Sequence, residues 1–293
     1  MQQFLQQVVS GLASGGVYAS LALALVLIYR STEVINFAQG EMATFTTYVA
    51  WQLGHWGVPF WGAFFLTLAF AFVFGVAVER VVIRPFERGP VLTVVIVTIG
   101  LLVLLNGLDG WIWGAEIKSF HSAFPTRPIS IGGVAFSLQD IGVIAVSLLA
   151  VFVLWLFFRY TKVGLAMRAA AVNPDSARLT GVRVGWMLAL GWGLAAMLGA
   201  LSGLMIAPVV FLDPNMMQVV LIYAFAAAVL GGLQSPAGAV VGGLLLGVML
   251  NLLGTYVHPV TPELRLPVAL AVLLIVLLVK PSGLFGRATV RKV

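Results

Sequence analysis

Several stretches of the chain are mostly apolar over about the length that crosses a bilayer. They include residues 8–28, 60–78, 91–105 and 268–279. A helix needs about 20 apolar residues to cross the roughly 30 Å hydrocarbon core of a membrane. Only 9% of the 293 residues are charged, whereas soluble domains have about 25%. The sequence therefore predicts an all-α polytopic membrane protein and excludes soluble enzymes and disordered chains.

The apolar runs predict eight or nine transmembrane helices in a single domain covering residues 1–293. The predicted spans are 8–29, 34–53, 59–78, 89–108, 137–158, 184–207, 216–231, 238–256 and 264–280. No Lys or Arg precedes the first run, whereas a cleaved signal peptide has a basic segment there. We therefore interpret the first run as a retained span.

Most of the basic residues fall in three segments, residues 79–88, 159–183 and 280–292. Lys and Arg are enriched in the cytoplasmic loops of membrane proteins. An even number of predicted spans separates these segments, so one orientation places all three, and the C-terminus, in the cytoplasm. The long loop 109–136, which contains Asp109, is then predicted to lie outside. Because the net charge of +6 comes from these loops, we expect no nucleic-acid partner.

The second predicted span is unusually polar. Its candidate residues for lining a transport path are Asn36, Phe37, Gln39, Gly40, Glu41 and Thr44. Polar side chains at membrane depth face protein or a water-filled cavity, and Gly40 is a place where the helix is predicted to break or re-enter. On a continuous helix, positions 36, 40, 44 and 47 would share one face. The alternative is an interfacial segment whose polar groups cap helix ends, with Glu41 favouring a helix N-terminus.

Residues 159–183 are predicted to form two short helices rather than a slack loop. Asn173 is a good N-cap, Pro174 suits the first helical position, and Asp175 suits the helix dipole. Gly181 stands where a left-handed residue ends a helix. A structured basic segment on the inner face favours a docking surface, although a segment that only connects two spans is the alternative.

The sequence lacks the residues that ATP binding, metal binding and serine-protease catalysis would need. There is no cysteine and no Gly-Lys pair for a phosphate-binding loop, so any ATP must be bound by another chain. His55, His121 and His258 are interpreted as interfacial residues, so no metal site is predicted. Ser202, between Gly199 and Gly203, is similar to an intramembrane protease motif, but that chemistry needs a His at the same depth. Helix packing is the alternative for these small residues.

Three motifs are similar to those of one transporter family, the permeases of bacterial branched-chain amino-acid importers. They are Asn36-Phe-Ala-Gln-Gly-Glu41 after Gly15-Gly-Val-Tyr-Ala19, Asn173-Pro-Asp-Ser-Ala-Arg-Leu-Thr-Gly181, and Leu230-Gly-Gly-Leu-Gln-Ser-Pro-Ala-Gly-Ala239. The resemblance covers nearly the whole chain. It is to the LivH-type subunit rather than to the LivM-type subunit, which has a longer N-terminal region.

The resemblance implies a permease subunit of an ATP-binding-cassette importer in the bacterial inner membrane. Its implied partners are a second, LivM-like permease, two ATPase subunits that bind the ATP, a periplasmic solute-binding protein, and membrane lipid. The residues implied in ATPase coupling are Arg168, Asn173, Pro174, Asp175, Ala177, Arg178 and Gly181. This chain would have no ATPase site and no cofactor of its own. The cargo would be branched-chain amino acids or related small polar solutes.

The alternative function is a self-contained secondary transporter or channel. Such a protein needs an ionisable coupling group within the membrane, and Glu41 and Asp140 are the candidates. That alternative leaves the structured basic segment 159–183 without a role.

Overall fold

The chain folds into packed helices in the computed structural model, which describes residues 2–87, 89–125, 128–131, 134–257 and 264–286. The helices are α1 (Gln2–Thr32), α2 (Gln39–His55), α3 (Phe60–Val78), α4 (Val91–Trp113), α5 (Leu138–Tyr160), α6 (Lys162–Val172), α7 (Pro174–Leu179), α8 (Val184–Val210), α9 (Met216–Gly231), α10 (Pro236–Tyr256) and α11 (Arg265–Val279). The structure is thus helical, as predicted. In the part of the chain that the structure describes, two short antiparallel strands, β1 (Pro128–Ile131) and β2 (Val134–Ser137), lie between α4 and α5. Two glycines stand between these strands in the sequence, a pair that favours hairpins.

Each predicted span coincides with one helix, but the helices differ in length. Six are long and apolar enough to cross a membrane: α1, α3 with its continuation to Phe86, α4, α5, α8 and α10. Helices α9 and α11 are apolar but shorter, with 16 and 15 residues. A 16-residue helix is about 24 Å long, less than the roughly 30 Å hydrocarbon core. The number of membrane crossings therefore stays a prediction.

Two of the predicted helix ends that differ from the structure matter for the site. Helix α2 begins at Gln39, five residues later than predicted. Helix α4 continues to Trp113, because Leu108 and Ile112 carry the apolar pattern past Asp109. The predicted outer loop therefore begins only at Gly114, and Asp109 belongs to a helix.

Helices α1 and α8 form the centre of the bundle. In their most apolar windows 78% and 72% of the residues are buried, compared with 22% in both α4 and α5. Since the side chains of α4 and α5 that face outward are apolar, these helices present the surfaces available to lipid or to another membrane chain.

Pairs of glycines that stand four residues apart in the sequence mediate packing within the chain. A Cβ atom at Gly15 would lie 2.9 Å from the Gly243 carbonyl oxygen, and one at Gly243 would lie 2.5 Å from the Ala19 backbone nitrogen. Gly199 and Gly203 of α8 pack in the same way against α2. Small residues let helices approach closely where lipid supplies no hydrophobic driving force. These glycines therefore serve helix packing within the chain.

The described parts of the three basic segments lie at one end of the bundle. An Nη of Arg84, after α3, donates a hydrogen bond of 2.6 Å to the Gly185 carbonyl at the start of α8. The backbone NH of Leu284, after α11, donates to the carbonyl of Leu230 at the end of α9, and α9 returns toward the end from which α8 leaves. Arg88, Arg287, Arg291 and Lys292 lie outside the described residues.

Candidate functional site

The turn before α2 is held by side-chain amides deep inside the protein. The Asn36 Oδ1 accepts a hydrogen bond of 3.0 Å from the backbone NH of Ala38, and its Nδ2 donates to Gln39 Oε1 at 3.2 Å. The Gln39 Nε2 donates to the carbonyl of Ala195 at 3.0 Å. Ala195 lies 11 residues, or about 16 Å, into α8. Helix α2 therefore begins beside the middle of α8 rather than at its end.

Two details predicted for this segment are wrong. The helix does not break at Gly40, which lies in the first turn of α2. The Leu221 side chain of α9 packs against it, and a Cβ atom at position 40 would lie 3.3 Å from that side chain. Asn36 does not share a helical face with positions 40, 44 and 47, because it precedes the helix. Its side chain bonds the backbone NH two residues on, a local turn that competes with helix formation.

The six predicted path residues are not exposed together. Asn36, Gln39, Gly40, Glu41 and Thr44 are buried, and Thr44 Oγ1 donates to the Gly40 carbonyl. Phe37 is 39% exposed. The polar side chains of this segment are thus covered by protein, and its amides are bonded within the chain.

Two buried carboxyl groups lie close together beyond this turn. Glu41, in the first turn of α2, is 2% exposed and Asp109 of α4 is fully buried. Among the described residues, Glu41 Oε2 and both carboxyl oxygens of Asp109 have no hydrogen-bond partner. The two groups are near enough to interact electrostatically. A buried charge without partners is costly, so this pair is suited to a proton or to a cationic group of a ligand.

An amide network leads from the carboxyl groups toward the surface. The Asn106 Nδ2 and the Gln218 Nε2 both donate to Asn215 Oδ1, at 3.1 Å and 2.8 Å, and both amides lie beside Glu41. Asn215 and Gln218 are exposed, while Asn106 is half-buried. We call Glu41, Asn106, Asp109, Asn215 and Gln218 the carboxyl cluster.

Asp109 was missed as a candidate because it was placed in a loop. A signal for it was present in the sequence. The buried residues of α4 are Val94, Thr98, Leu101, Leu105 and Asp109. Their spacing of three or four residues is that of one helical face, and Asp109 continues it.

The segment between α5 and α8 folds as predicted, into two helices joined at Asn173. The Asn173 Oδ1 accepts a hydrogen bond of 2.9 Å from the backbone NH of Ser176, and Pro174 is the first residue of α7. Gly181 has a φ of +84°, a conformation that L side chains adopt rarely. These caps set the two helices at a defined angle.

Helices α6 and α7 pack onto the first turns of α8. Ala170 of α6 and Ala177 of α7 form a buried cluster with Val184 and Leu188. The side of α6 and α7 that faces away from α8 is exposed: Leu179 is 90% exposed and Val172 is 79% exposed. We call residues 172–181 the α6–α7 tip.

The predicted coupling residues divide between the tip and the interior. Asn173, Pro174, Asp175, Arg178 and Gly181 are exposed on the tip. Asp175 and Arg178 form an exposed ion pair of 2.8 Å, a type of contact that stabilises little. Arg168 is half-buried and faces a cavity beside α6. Within the described ranges no cluster of three His or acidic residues could hold a metal ion, and His258 lies outside those ranges.

Comparison with known sequences identifies the family. A family model described as "Branched-chain amino acid transport system / permease component" matches residues 7–277. The chain belongs to this permease family. That confirms the resemblance predicted from the three motifs, and it makes the chain a permease component and a multi-pass membrane protein.

Individual relatives of this permease are similar over almost their whole length. The permease protein BraD of the high-affinity branched-chain amino acid transport system of Pseudomonas aeruginosa is 32% identical, over 99% of this chain and 98% of BraD. The corresponding protein LivH of Escherichia coli K12 is 31% identical over the same shares. A chain of PsaBC from Streptococcus pneumoniae in complex with Fab has a TM-score of 0.50 and 13% identity, covering 95% of this permease and 92% of that chain, and it supports the fold alone.

Proposed function

We propose that this permease is the LivH-type membrane subunit of an ATP-binding-cassette importer for branched-chain amino acids or related small polar solutes. The observation that carries the proposal is the similarity to BraD and LivH over 99% of the chain. A second, LivM-like permease would complete the membrane part. Two ATPase subunits would bind the ATP, and a periplasmic binding protein would deliver the solute.

The proposed orientation in the bacterial inner membrane places the basic end of the bundle, and with it the C-terminus, in the cytoplasm. Support comes from the hydrogen bond that joins the segment after α3 to the start of α8, and from the one that joins the segment after α11 to the end of α9. Positive charge marks the cytoplasmic end of membrane helices. Helix α6 follows directly from α5 at this end, and the α6–α7 tip would face the ATPase subunits.

The α6–α7 tip is the proposed docking surface for an ATPase subunit. Exposed apolar side chains beside polar ones mark interaction sites on protein surfaces, and Val172 and Leu179 flank Asn173, Asp175 and Arg178 in this way. Since Ala170 and Ala177 are packed against α8, a push on the tip would move α8 as well. When the ATPase dimer closes, α6 and α7 would therefore transmit the movement to α8 as a rigid lever.

The carboxyl cluster is the proposed polar contact for the cargo on its way through the membrane. A zwitterionic amino acid carries an ammonium group, and Glu41 and Asp109 have carboxyl oxygens without partners. Helix α2 begins beside the middle of α8, held by the bond from Gln39 to Ala195. A shift of α8 would therefore reach the start of α2. Alternation between two states, each favoured by different ligands, would then open and close the path.

Purification with partners tests the importer. The chain is purified from its native host in mild detergent, and co-purifying proteins are identified by mass spectrometry. We expect a second permease and cassette ATPases in near equal amounts. Recovery of this chain alone, as a stable oligomer that transports without ATP, would overturn the importer and support the self-contained transporter.

The variant Asp109→Asn should impair transport of an amino acid in the reconstituted importer. A hydrogen bond to a charged group contributes about 1.5–3 kcal/mol, so we expect kcat/KM to fall about tenfold or more, measured as uptake into vesicles loaded with ATP. Asp140→Asn is the matched control, because Asp140 lies outside the carboxyl cluster, and it should leave uptake unchanged. Loss of uptake in the control alone would favour Asp140 as an ion-coupling group.

The variant Ser202→Ala should leave uptake within about twofold of the parent protein. The Ser202 Oγ donates to the carbonyls of Leu198, at 2.9 Å, and Val17, at 3.3 Å, and the residue is fully buried. A hydroxyl bonded to its own helix contributes about 0.5–1.5 kcal/mol at most. Uptake into vesicles measures the effect. Loss of uptake in a folded variant would favour the hypothesis that Ser202 belongs to an intramembrane enzyme.

A further inference from the structure

A cavity of about 560 Å³ opens at the basic end of the bundle, among α1, α5, α6, α8 and α10. Three arginines line it: Arg30 near the end of α1, Arg159 near the end of α5, and Arg168 in α6. The remaining lining is almost entirely apolar, and no acidic residue is part of it. The cavity is separate from the carboxyl cluster and from the α6–α7 tip.

The three arginines lack charge partners. Among the described residues neither ion pair of the chain includes any of them, and Arg168 Nε is buried without a hydrogen-bond partner. The guanidinium groups of Arg30 and Arg168 are close enough for their charges to repel. An anion between them would replace this repulsion with charge-assisted hydrogen bonds.

The apolar part of the cavity extends from the arginines along α5. Along α5, the lining residues run from Arg159 back through Trp155 and Phe152 to Leu148, a distance of about 16 Å for a helix. Phe152 and Trp155 are 53% and 52% exposed, so the cavity is open on the side from which a lipid can enter. The opposite wall includes Leu23 and Leu27 of α1.

We propose that an anionic phospholipid binds in this cavity, with its phosphate group on Arg30, Arg159 and Arg168 and an acyl chain between α1 and α5. Basic pockets between transmembrane helices at the cytoplasmic side are suited to anionic head groups. A free phosphate would use only the arginines and leave the apolar walls uncovered. A zwitterionic amino acid would find no carboxylate for its ammonium group.

The bound lipid would connect α6 to the membrane helices α1 and α5. Arg168 belongs to α6, which continues through Asn173 into the α6–α7 tip, whereas Arg30 and Arg159 belong to α1 and α5. One head group on all three arginines would hold α6 against these two spans. In the importer, Arg168 would then act as a positioning residue for the tip. Lipid binding itself does not depend on the proposed cargo or on ATP.

Native mass spectrometry of the full chain, purified in mild detergent with any subunits that stay bound, tests the proposal. The probes are phosphatidylglycerol and phosphatidylcholine with the same acyl chains. An arginine beside an anionic head group favours binding about fivefold, so we expect phosphatidylglycerol to be retained at least fivefold better. The combined variant Arg30→Gln, Arg159→Gln and Arg168→Gln should retain both lipids equally.

Two further variants make the result specific. Arg183→Gln removes an arginine outside the cavity and should retain phosphatidylglycerol like the parent chain. Val151→Trp puts a bulky side chain into the apolar part and should weaken retention while all three arginines remain, which covers the case in which the triple variant does not fold. Equal retention of both lipids by the parent chain, or unchanged retention in folded triple and Val151→Trp variants, would overturn the proposal. Exclusion of the lipid by a bound partner permease would also overturn it.

Discussion

Replacing Gly243 by Ala should destabilise the permease, although alanine is normally the better helix former. A Cβ atom at Gly243 would lie 2.5 Å from the backbone of Ala19, across the contact between α1 and α10. Backbone atoms cannot rotate away as a side chain can, so the two helices must separate. Overpacking of this kind costs about 1–3 kcal/mol. Thermal unfolding of the detergent-purified full chain, followed by loss of the monodisperse size-exclusion peak, measures the effect.

Gly100→Ala is the matched control for this variant. Gly100 lies inside α4, and a Cβ atom there would have nothing within 4 Å. The same substitution should therefore be neutral or stabilise the protein by up to about 1 kcal/mol, from helix propensity. Opposite signs for the two variants support the close approach of α1 and α10. Equal thermal stabilities would show that α1 and α10 are further apart than in this structure.

Replacing Leu179 by Asp should strongly reduce ATP-driven uptake without unfolding the membrane helices. Leu179 is 90% exposed on the α6–α7 tip, so the substitution removes no contact within this chain. If the tip docks on an ATPase subunit, a charge placed in an apolar pocket of that subunit weakens binding by about tenfold or more. Co-purification of the ATPase and uptake into vesicles should both fall.

Leu179→Met is the control, since it keeps an apolar side chain of similar volume and should preserve both readouts. The thermal stability of both variants should match that of the parent protein. Full uptake by a stable Leu179→Asp variant would mean that the tip does not dock through this side chain. Segment 159–183 would then be closer to a simple connection between α5 and α8.

The local structure of several segments followed from the sequence because local rules decide it. Asn173 and Pro174 occupy the N-cap and first positions of α7 that their side chains favour, and Gly181 follows α7 with a positive φ that glycine adopts because it lacks a Cβ atom. The location of the spans followed from the length of the apolar runs, which reflects the thickness of the bilayer. The ends of α2 and α4 were less accurate, because the pattern that continues or stops a helix there is partly polar.

The site depended on contacts between residues far apart in the chain. Asn36 and Gln39 could be recognised as polar residues in a membrane segment, but their bonding to one another and to Ala195 required the packing of α2 on α8. Asp109 became a candidate only because α4 continues past it, so that it lies on the buried face of this helix near Glu41. The sequence marked the polar residues, and their neighbours were set by the tertiary structure.

By itself, the sequence determined the class of protein, the approximate position of its helices, the two-helix segment and the family, because each of these depends on composition or on neighbouring residues. Only the tertiary structure decided which glycines meet, that Glu41 and Asp109 lie together, and that Arg30, Arg159 and Arg168 surround one apolar cavity. These residues come from different helices. Their meeting depends on how the helices pack, which is set by the close fit of many small side chains at once and not by any local pattern.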